Sequence, residues 1–165
     1  QPASTSKYGV VEIGNGISVA NGIISTSGSG SPIIGTWIPT ITSSLGAIIT
    51  LTVATANYAK LGQQIICYFD FTIATLSNGG SSGTLILNGL PFSSISGTGF
   101  VGNLLATYIQ SLGTNQSFVN GTIAGSSTQA LLWVNRVSTS SSRMVQSDIQ
   151  VSSRLAGTVS YLSSN

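Results

Sequence analysis

The sequence predicts an all-β protein, with an antiparallel β-sandwich head that follows a short β-repeat shaft. Two observations carry this fold class. Helix-favouring Glu, Lys and Gln are scarce, whereas Ser, Thr, Gly, Val and Ile dominate the chain. Apolar residues recur at every second position in several segments, and clusters of Gly, Asn and Ser separate these segments at intervals typical of a sandwich or a barrel.

The N-terminal stretch Tyr8–Ser25 predicts very short β-units. It contains two Asn-Gly pairs, at residues 15–16 and 21–22, and Asn-Gly favours tight turns with positive φ. A strand that fits between them has about two inward apolar side chains, and an isolated hairpin of that size is marginal in water. Such units become stable when several copies wrap round a common axis, which predicts an intertwined shaft; the alternative is a loose N-terminal arm.

A glycine- and serine-rich joint at Gly28–Pro32 separates this stretch from the rest of the chain. Such a composition is typical of a flexible linker. We therefore divide the chain into an arm and shaft, residues 1–30, and a head, residues 31–165.

The strongest strand prediction in the head is Gln64–Leu76. One face of this strand is apolar throughout, and polar residues share the other face. The apolar face comprises Ile65, Cys67, Phe69, Phe71 and Ile73. Other strands are predicted at Leu45–Ala56, Thr84–Leu87, Gly99–Leu105, Ser117–Ile123, Ala130–Val137 and Leu155–Leu162, with turns at Ser77–Gly83, Ser93–Gly97 and Ser138–Ser142.

Charge is the unusual feature of the composition. Charged residues make up 5% of the chain, against about 25% in ordinary domains. There is no histidine and one cysteine, which excludes a Ser–His–Asp triad, a histidine-bearing metal site and a disulfide framework within one chain. The net charge of +2 comes from five scattered cations, so we expect no nucleic-acid partner. Polar residues interrupt every apolar stretch, so we expect no membrane insertion.

Four motifs occur in a fixed order along the head. They are Gly-Thr-Trp-Ile-Pro-Thr at 35–40, Tyr-Ala-Lys-Leu-Gly at 58–62, Gly-Leu-Pro-Phe at 89–92, and a closing segment, Ser147–Leu162, with the pattern Ser-Asp…Gly-x-x-x-Tyr. The ordered set resembles the receptor-binding heads of bacteriophage tail fibres and related virion spikes. The N-terminal units separately resemble the short β-repeats of viral fibre shafts.

The resemblance implies a jelly-roll-like head that assembles as a homotrimer and adsorbs to a host cell-surface glycan or other receptor without catalysis. It also implies an extracellular location on the virion, in a tail fibre or surface spike whose N-terminal side contacts other tail or capsid proteins. Two other classes stay open: a structural capsid-decoration or fibre protein with no receptor of its own, and a free-standing lectin or enzyme on the same scaffold.

The motif residues also have a physical interpretation as residues that define the fold. Trp37 is expected to anchor a strand in apolar surroundings, and Phe92 to insert into the core. Tyr58 and Lys60 are two residues apart, so they share a face of a strand that is expected to turn at Gly62. Lys60 is predicted to pair with an acid or to cover the Tyr58 ring with its methylenes.

The candidate ligand-binding segment is the polar, loop-like stretch Tyr108–Phe118. Aromatic rings flanked by amide and hydroxyl side chains suit stacking on sugars and recognition of their hydroxyls. The candidate residues are Tyr108, Gln110, Asn115, Gln116 and Phe118. The alternative for Phe118, and for Trp133, is a place in the core or in an interface.

Catalysis, metals and cofactors are not expected. A glycosidase needs two carboxyl groups roughly 5–9.5 Å apart, and the head offers only Asp70 and Asp148. The many serines lack a histidine to activate them. We therefore predict a binding protein with no catalytic residue, no metal site and no cofactor.

Overall fold

A computed structural model describes residues 17–20, 23–26, 32–77, 82–113, 116–137 and 139–164. Within these residues the chain is all-β apart from one 3₁₀ turn, Gln146–Asp148. The strands are β1 (Ile17–Ala20), β2 (Ile23–Thr26), β3 (Ile33–Thr36), β4 (Thr40–Ser43), β5 (Ile49–Leu61), β6 (Gln64–Leu76), β7 (Leu85–Asn88), β8 (Phe100–Gln110), β9 (Gln116–Ala124), β10 (Ala130–Arg136), β11 (Thr139–Arg143) and β12 (Arg154–Leu162). No helix that could cross a membrane occurs in these ranges.

The chain divides into two compact units, Gln1–Ser31 and Pro32–Asn165. In the first unit β1 and β2 form an antiparallel ladder that joins Ile17 to Thr26 and Ala20 to Ile23. This confirms the predicted short strands on either side of the second Asn-Gly pair. Both Asn-Gly pairs, and the joint except for Pro32, lie outside the described residues.

The second unit is built on one antiparallel sheet. Its strands run in the order β3-β5-β6-β12-β8-β9-β10-β7-β4, and β11 pairs with β10. β3 and β4 thus lie at opposite ends of this order, yet only Trp37–Pro39 separate them in sequence. A chain of that length spans at most about 14 Å, so the sheet must curl until its two ends approach each other. A backbone hydrogen bond from Trp37 N to Ala56 O (3.0 Å) fixes the connection against β5.

The core lies inside the curl. β6 alternates as predicted, because Ile65, Cys67, Phe69, Phe71 and Ile73 are all buried while the intervening residues are exposed or half-buried. The inward residues of β4, β7, β8, β9, β10 and β12 contribute to the same apolar cluster. The structure therefore confirms an all-β, antiparallel fold.

The four motifs of the head, far apart in sequence, meet at one place. The Tyr58 and Phe92 rings pack edge to face with their centroids 5.3 Å apart, and the Lys60 ammonium lies 4.7 Å from the Phe92 ring centroid. The Tyr161 hydroxyl donates to Phe92 O (2.9 Å). Gly35 leaves the space that the Tyr58 ring occupies, since a Cβ there would overlap the ring. These contacts agree with the interpretation of the motifs as residues that define the fold.

Trp37 and Gly62 behave as their motifs predicted, and Lys60 does so in part. Trp37 is buried and donates from Nε1 to Tyr68 O (3.2 Å). Lys60 differs from its prediction, because its ammonium lies over the ring of Phe92, not its methylenes over Tyr58, and also donates to Ser163 Oγ (2.9 Å). Gly62 has φ +58° between β5 and β6, where the turn was expected.

Three segments differ from the sequence predictions. The predicted turn at Ser138–Ser142 is wrong, because Thr139–Arg143 forms β11 and pairs with β10; a serine run has no apolar alternation to reveal a strand. β5 begins and ends later than the predicted Leu45–Ala56. β8 continues past Leu105 to Gln110, so Tyr108 lies in a strand and not in a loop.

Candidate ligand-binding groove

β8 and β9 form a hairpin that opens part of the way along its length. Among the described residues their ladder begins at Phe100 and Ala124 and ends at Leu105 and Asn120. Beyond that rung β8 follows β12, pairing Tyr108 with Ala156, whereas β9 follows β10. The two strands diverge and leave an opening in the sheet.

A β-bulge at Thr107 accompanies this divergence. β12 residue Gly157 pairs with Ala106, and its neighbour Ala156 pairs with Tyr108, so Thr107 is an extra residue on β8. A bulge bends its strand and increases the local twist. Gly157 fits the bulge closely, because a Cβ there would collide with the carbonyl oxygen of Leu105.

The far end of the opening is tied to the segment that follows β11. Gly113 N donates to Asp148 O (2.9 Å), and Ser153 Oγ donates to Ser111 O (2.6 Å). Gln116 Nε2 donates to Asp148 Oδ1 (2.7 Å). These contacts hold the loop after β8 against the 3₁₀ turn. They keep it away from the position that it would have if β8 and β9 stayed paired.

We call this opening the β8–β9 groove. Its volume is about 480 Å³, and it is lined by Leu105, Ala106, Thr107, Ile109, Ser117 and Phe118. Two of these residues carry hydroxyls, one carries an aromatic ring, and none of the six is titratable. The groove can therefore contact an apolar surface and exchange hydrogen bonds, but its own lining supplies no acid or base.

Asp148 is the centre of a buried polar cluster beside the groove. Its side chain is 6% exposed and accepts hydrogen bonds from Arg136 (2.6 Å), from Gln116 and from Val145 N (2.8 Å). Arg136 also donates to Ser142 Oγ. The carboxylate is thus engaged by one cation and two neutral donors, an arrangement suited to holding the 3₁₀ turn in place.

A second ion pair lies on the outer face of the sheet. Arg154 donates from Nε (2.9 Å) and Nη2 (2.6 Å) to the two carboxylate oxygens of Asp70. Its guanidinium lies 5.3 Å from the ring centroid of Tyr108, and the Tyr108 hydroxyl donates to Gln110 Oε1 (3.0 Å). The hydrogen bond from Arg154 holds the pKa of Asp70 below its ordinary value, and Asp70 raises the pKa of Arg154.

The structure separates the predicted ligand-binding residues into three environments. Phe118 lines the groove, whereas Gln116 points to Asp148. Tyr108 and Gln110 lie together on the outer face beside Arg154. Asn115 lies outside the described residues.

Sequence reasoning missed most of the lining of the groove. On β8 the inward residues are Leu104 and Ala106, and then Ile109, which pairs opposite the buried Leu155. The spacing between inward residues changes there from two to three. That slip in the alternation is the signal that could have located the bulge, and with it the start of the opening.

The two acids of the head occupy separate ion pairs, Asp70 with Arg154 and Asp148 with Arg136. In the part of the chain that the structure describes, no three His, Cys, Asp or Glu residues cluster as metal ligands would. Cys67 is fully buried, and burial raises the pKa of its thiol to about 12.

Comparisons of the chain with protein-family models, with curated proteins and with solved structures find no match.

Proposed function

We propose that this chain is a component of a virion fibre or spike, whose trimeric head adsorbs to a glycan on the host cell surface and performs no catalysis. The observation that carries the binding role is the β8–β9 groove, whose lining is neutral and combines hydroxyls with an aromatic ring. The virion assignment rests on the ordered motifs of the head. Three of these motifs meet around Phe92, and the fourth packs Gly35 against the Tyr58 ring, which supports treating them as one set.

The proposal includes a parallel homotrimer with jelly-roll-like heads. Support comes from large apolar side chains that the single chain leaves exposed on edge strand β3 and on β5 and β12. They are Ile33 (52%), Ile34 (77%), Leu61 (51%) and Leu162 (45%). Register places the last three on one face, because Leu61 and Leu162 both pair with Gln64 while Ile34 pairs with Ala59. Exposed apolar clusters of this kind mark association surfaces.

Trimerisation would let weak sites act together. Three heads on one shaft place three grooves on one particle, and linked sites gain avidity without any new contact. On this proposal the N-terminal side contacts other virion proteins, and the protein acts outside the cell.

The first test is a glycan array probed with the intact chain, together with its native mass by light scattering. We expect binding to one class of glycan and a mass of roughly 50 kDa, three times the chain mass of 16.8 kDa. Removal of residues 1–30 should weaken the assembly, and an unchanged trimer would remove the argument for a shaft.

The other outcomes separate the competing classes. A trimer that binds no glycan would favour a structural fibre or capsid-decoration protein. A monomer that binds glycan would favour a free-standing lectin.

A further inference from the structure

We infer that the β8–β9 groove is the ligand-binding site of the head and that it takes one or two rings of a neutral saccharide. This inference rests on the glycan-binding function proposed above. It adds where on the head the glycan binds and that the bound rings carry no charge. Its first support is the hydrogen-bonding capacity of the two walls.

Each wall of the groove is a strand edge that pairs on its far side only. β8 pairs with β12 through Tyr108 and Ile109, and β9 pairs with β10 through Phe118 and Val119. On the near side, the described residues beyond the Leu105–Asn120 rung have no ladder partner. Backbone N–H and C=O groups along such an edge are available to another molecule. Sugar hydroxyls, which both donate and accept, can pair with either kind of group.

The shape of the groove favours a compact ligand over a peptide strand. At Leu105 and Asn120 the walls are neighbours in one ladder, about 4.8 Å apart. A strand inserted between them needs two such spacings, about 9.6 Å, which the closed end does not provide. The free part of β8 from Ala106 to Gln110 extends only about 13 Å. A volume of about 480 Å³ lies within the range of small-molecule sites.

The surroundings of the groove favour a ligand without charge. Its six lining residues are neutral. The nearby Asp148 is already engaged by Arg136, and Arg154 on the outer face is paired in bidentate fashion with Asp70. A carboxylated or sulfated sugar would therefore find no unpaired cation among these residues, whereas Phe118 and Ile109 suit the apolar face of a neutral sugar ring.

The experiment is a titration of the full-length, ¹⁵N-labelled protein with the methyl glycosides of glucose, galactose, mannose and N-acetylglucosamine, followed by amide chemical shifts. We expect at least one glycoside to shift the amides of residues 106–109 and 117–119. The variant Ser117→Trp places a large ring at an exposed position of the groove and should weaken that glycoside at least tenfold. The matched control Ser141→Trp makes the same change at an exposed position of β11 and should leave the affinity within twofold.

Each other outcome overturns the inference in a different way. Glycan-array binding that persists in Ser117→Trp, or glycoside shifts confined to other residues, would show that the glycan binds outside the groove. The proposed glycan-binding function would then be retained. Absence of both array binding and shifts would overturn the site and the glycan-binding function together. Shifts at the groove with a peptide of alternating Thr and Val, and none with the glycosides, would replace the saccharide with an added strand.

Discussion

Two hairpins of the same sheet, β5–β6 and β8–β9, end in different ways. The β5–β6 ladder runs from the pair Ile49 and Leu76 to the pair Leu61 and Gln64, although its register shifts twice. The β8–β9 ladder also contains a shift, yet it stops at Leu105 and Asn120. A change of register is therefore not sufficient to open a hairpin.

The difference lies in what holds the tip of each hairpin. At the tip of β5–β6 the turn is local, and Gly62 adopts the positive φ that it needs. At the end of β8–β9, Gly113 and Gln116 bond to Asp148, which lies far along the chain. Tertiary contacts replace local pairing there, and the groove is the result. Substitutions at these contacts should therefore distinguish the two hairpins.

The largest effect is expected from Asp148→Asn. The change keeps the size of the side chain but removes the charge that faces Arg136 in a site where Asp148 is 6% exposed. Loss of one partner of a buried pair costs about 3 kcal/mol. We expect that decrease in the free energy of unfolding, measured by urea denaturation. A loss below about 0.5 kcal/mol, the scale of an ordinary surface change, would show that Asp148 does not hold this end of the hairpin.

A smaller loss is expected from Gly157→Ala, which acts on the bulge itself. The added Cβ would collide with Leu105 O and lie 2.8 Å from the Cα of Ala106. Overpacking of this kind costs about 2 kcal/mol, to be measured by the same denaturation. The matched control is Gly97→Ala, because a Cβ there meets only a Val101 methyl at 3.5 Å. Equal stability of the two variants would contradict the close fit at the bulge.

The next effect is smaller because Asp70→Asn breaks an ion pair on the surface. The Asp70 and Arg154 side chains are 21% and 43% exposed, and such pairs contribute about 0.5 kcal/mol. Asp70→Asn and Asp148→Asn are the same chemical change, made in a partly exposed ion pair and in a buried one. A cost for Asp70→Asn as large as that for Asp148→Asn would show that exposure does not separate them.

The contribution of Asp70 should also depend on pH. Arg154 holds the pKa of Asp70 in the folded state below 3.8, so this stabilisation is present above that value and is lost as the pH falls through the folded pKa. Denaturation of wild type and Asp70→Asn at about pH 7, 4 and 2.5 should show a difference that is full at the highest pH and smaller at the lowest. A difference that stays constant would mean that the charge of Asp70 is not its cause.

The continuous hairpin was predictable from sequence to a degree that the open one was not. The bounds predicted for β6, Gln64–Leu76, are those that the structure shows, because its five inward residues are apolar and its alternation is unbroken. β8 was predicted to end at Leu105, two residues before the bulge at Thr107 that interrupts the alternation. Chain-local periodicity reports which side chains face the core, but it contains no information about the contact of Gly113 with Asp148.

The same reasoning explains the partial overlap with the candidate site. The polar composition of Tyr108–Phe118 pointed to the hairpin that contains the groove, and Phe118 lines this groove. Composition could not show that Tyr108 faces Arg154 on the outer face, nor that Gln116 turns to Asp148. Those directions depend on the strand register beyond the bulge and on a turn some thirty residues away.

The two hairpins can also be compared by the accessibility of a thiol in each of them. In the β5–β6 hairpin that thiol is Cys67. Cys67 lies in the β5–β6 ladder opposite Tyr58 and is fully buried. Burial raises the pKa of its thiol from 9.0 to about 12. The unfolded chain alone should therefore ionise as the pH rises above 9.0, so folding stability should decrease between 9.0 and about 12.

A second thiol, introduced by Ser117→Cys, would lie in the groove. Alkylation requires an accessible thiolate, and access to Cys67 requires opening of the ladder, whereas position 117 is already exposed. With iodoacetamide at neutral pH we expect the introduced thiol to react at least about a hundredfold faster than Cys67, since opening of core strands approaches the cost of global unfolding. Mass spectrometry of the modified peptides gives both rates in one sample. Similar rates would mean that the β5–β6 ladder opens often enough to make Cys67 as accessible as position 117 in the groove. The β5–β6 hairpin would then not be more tightly closed than the β8–β9 hairpin.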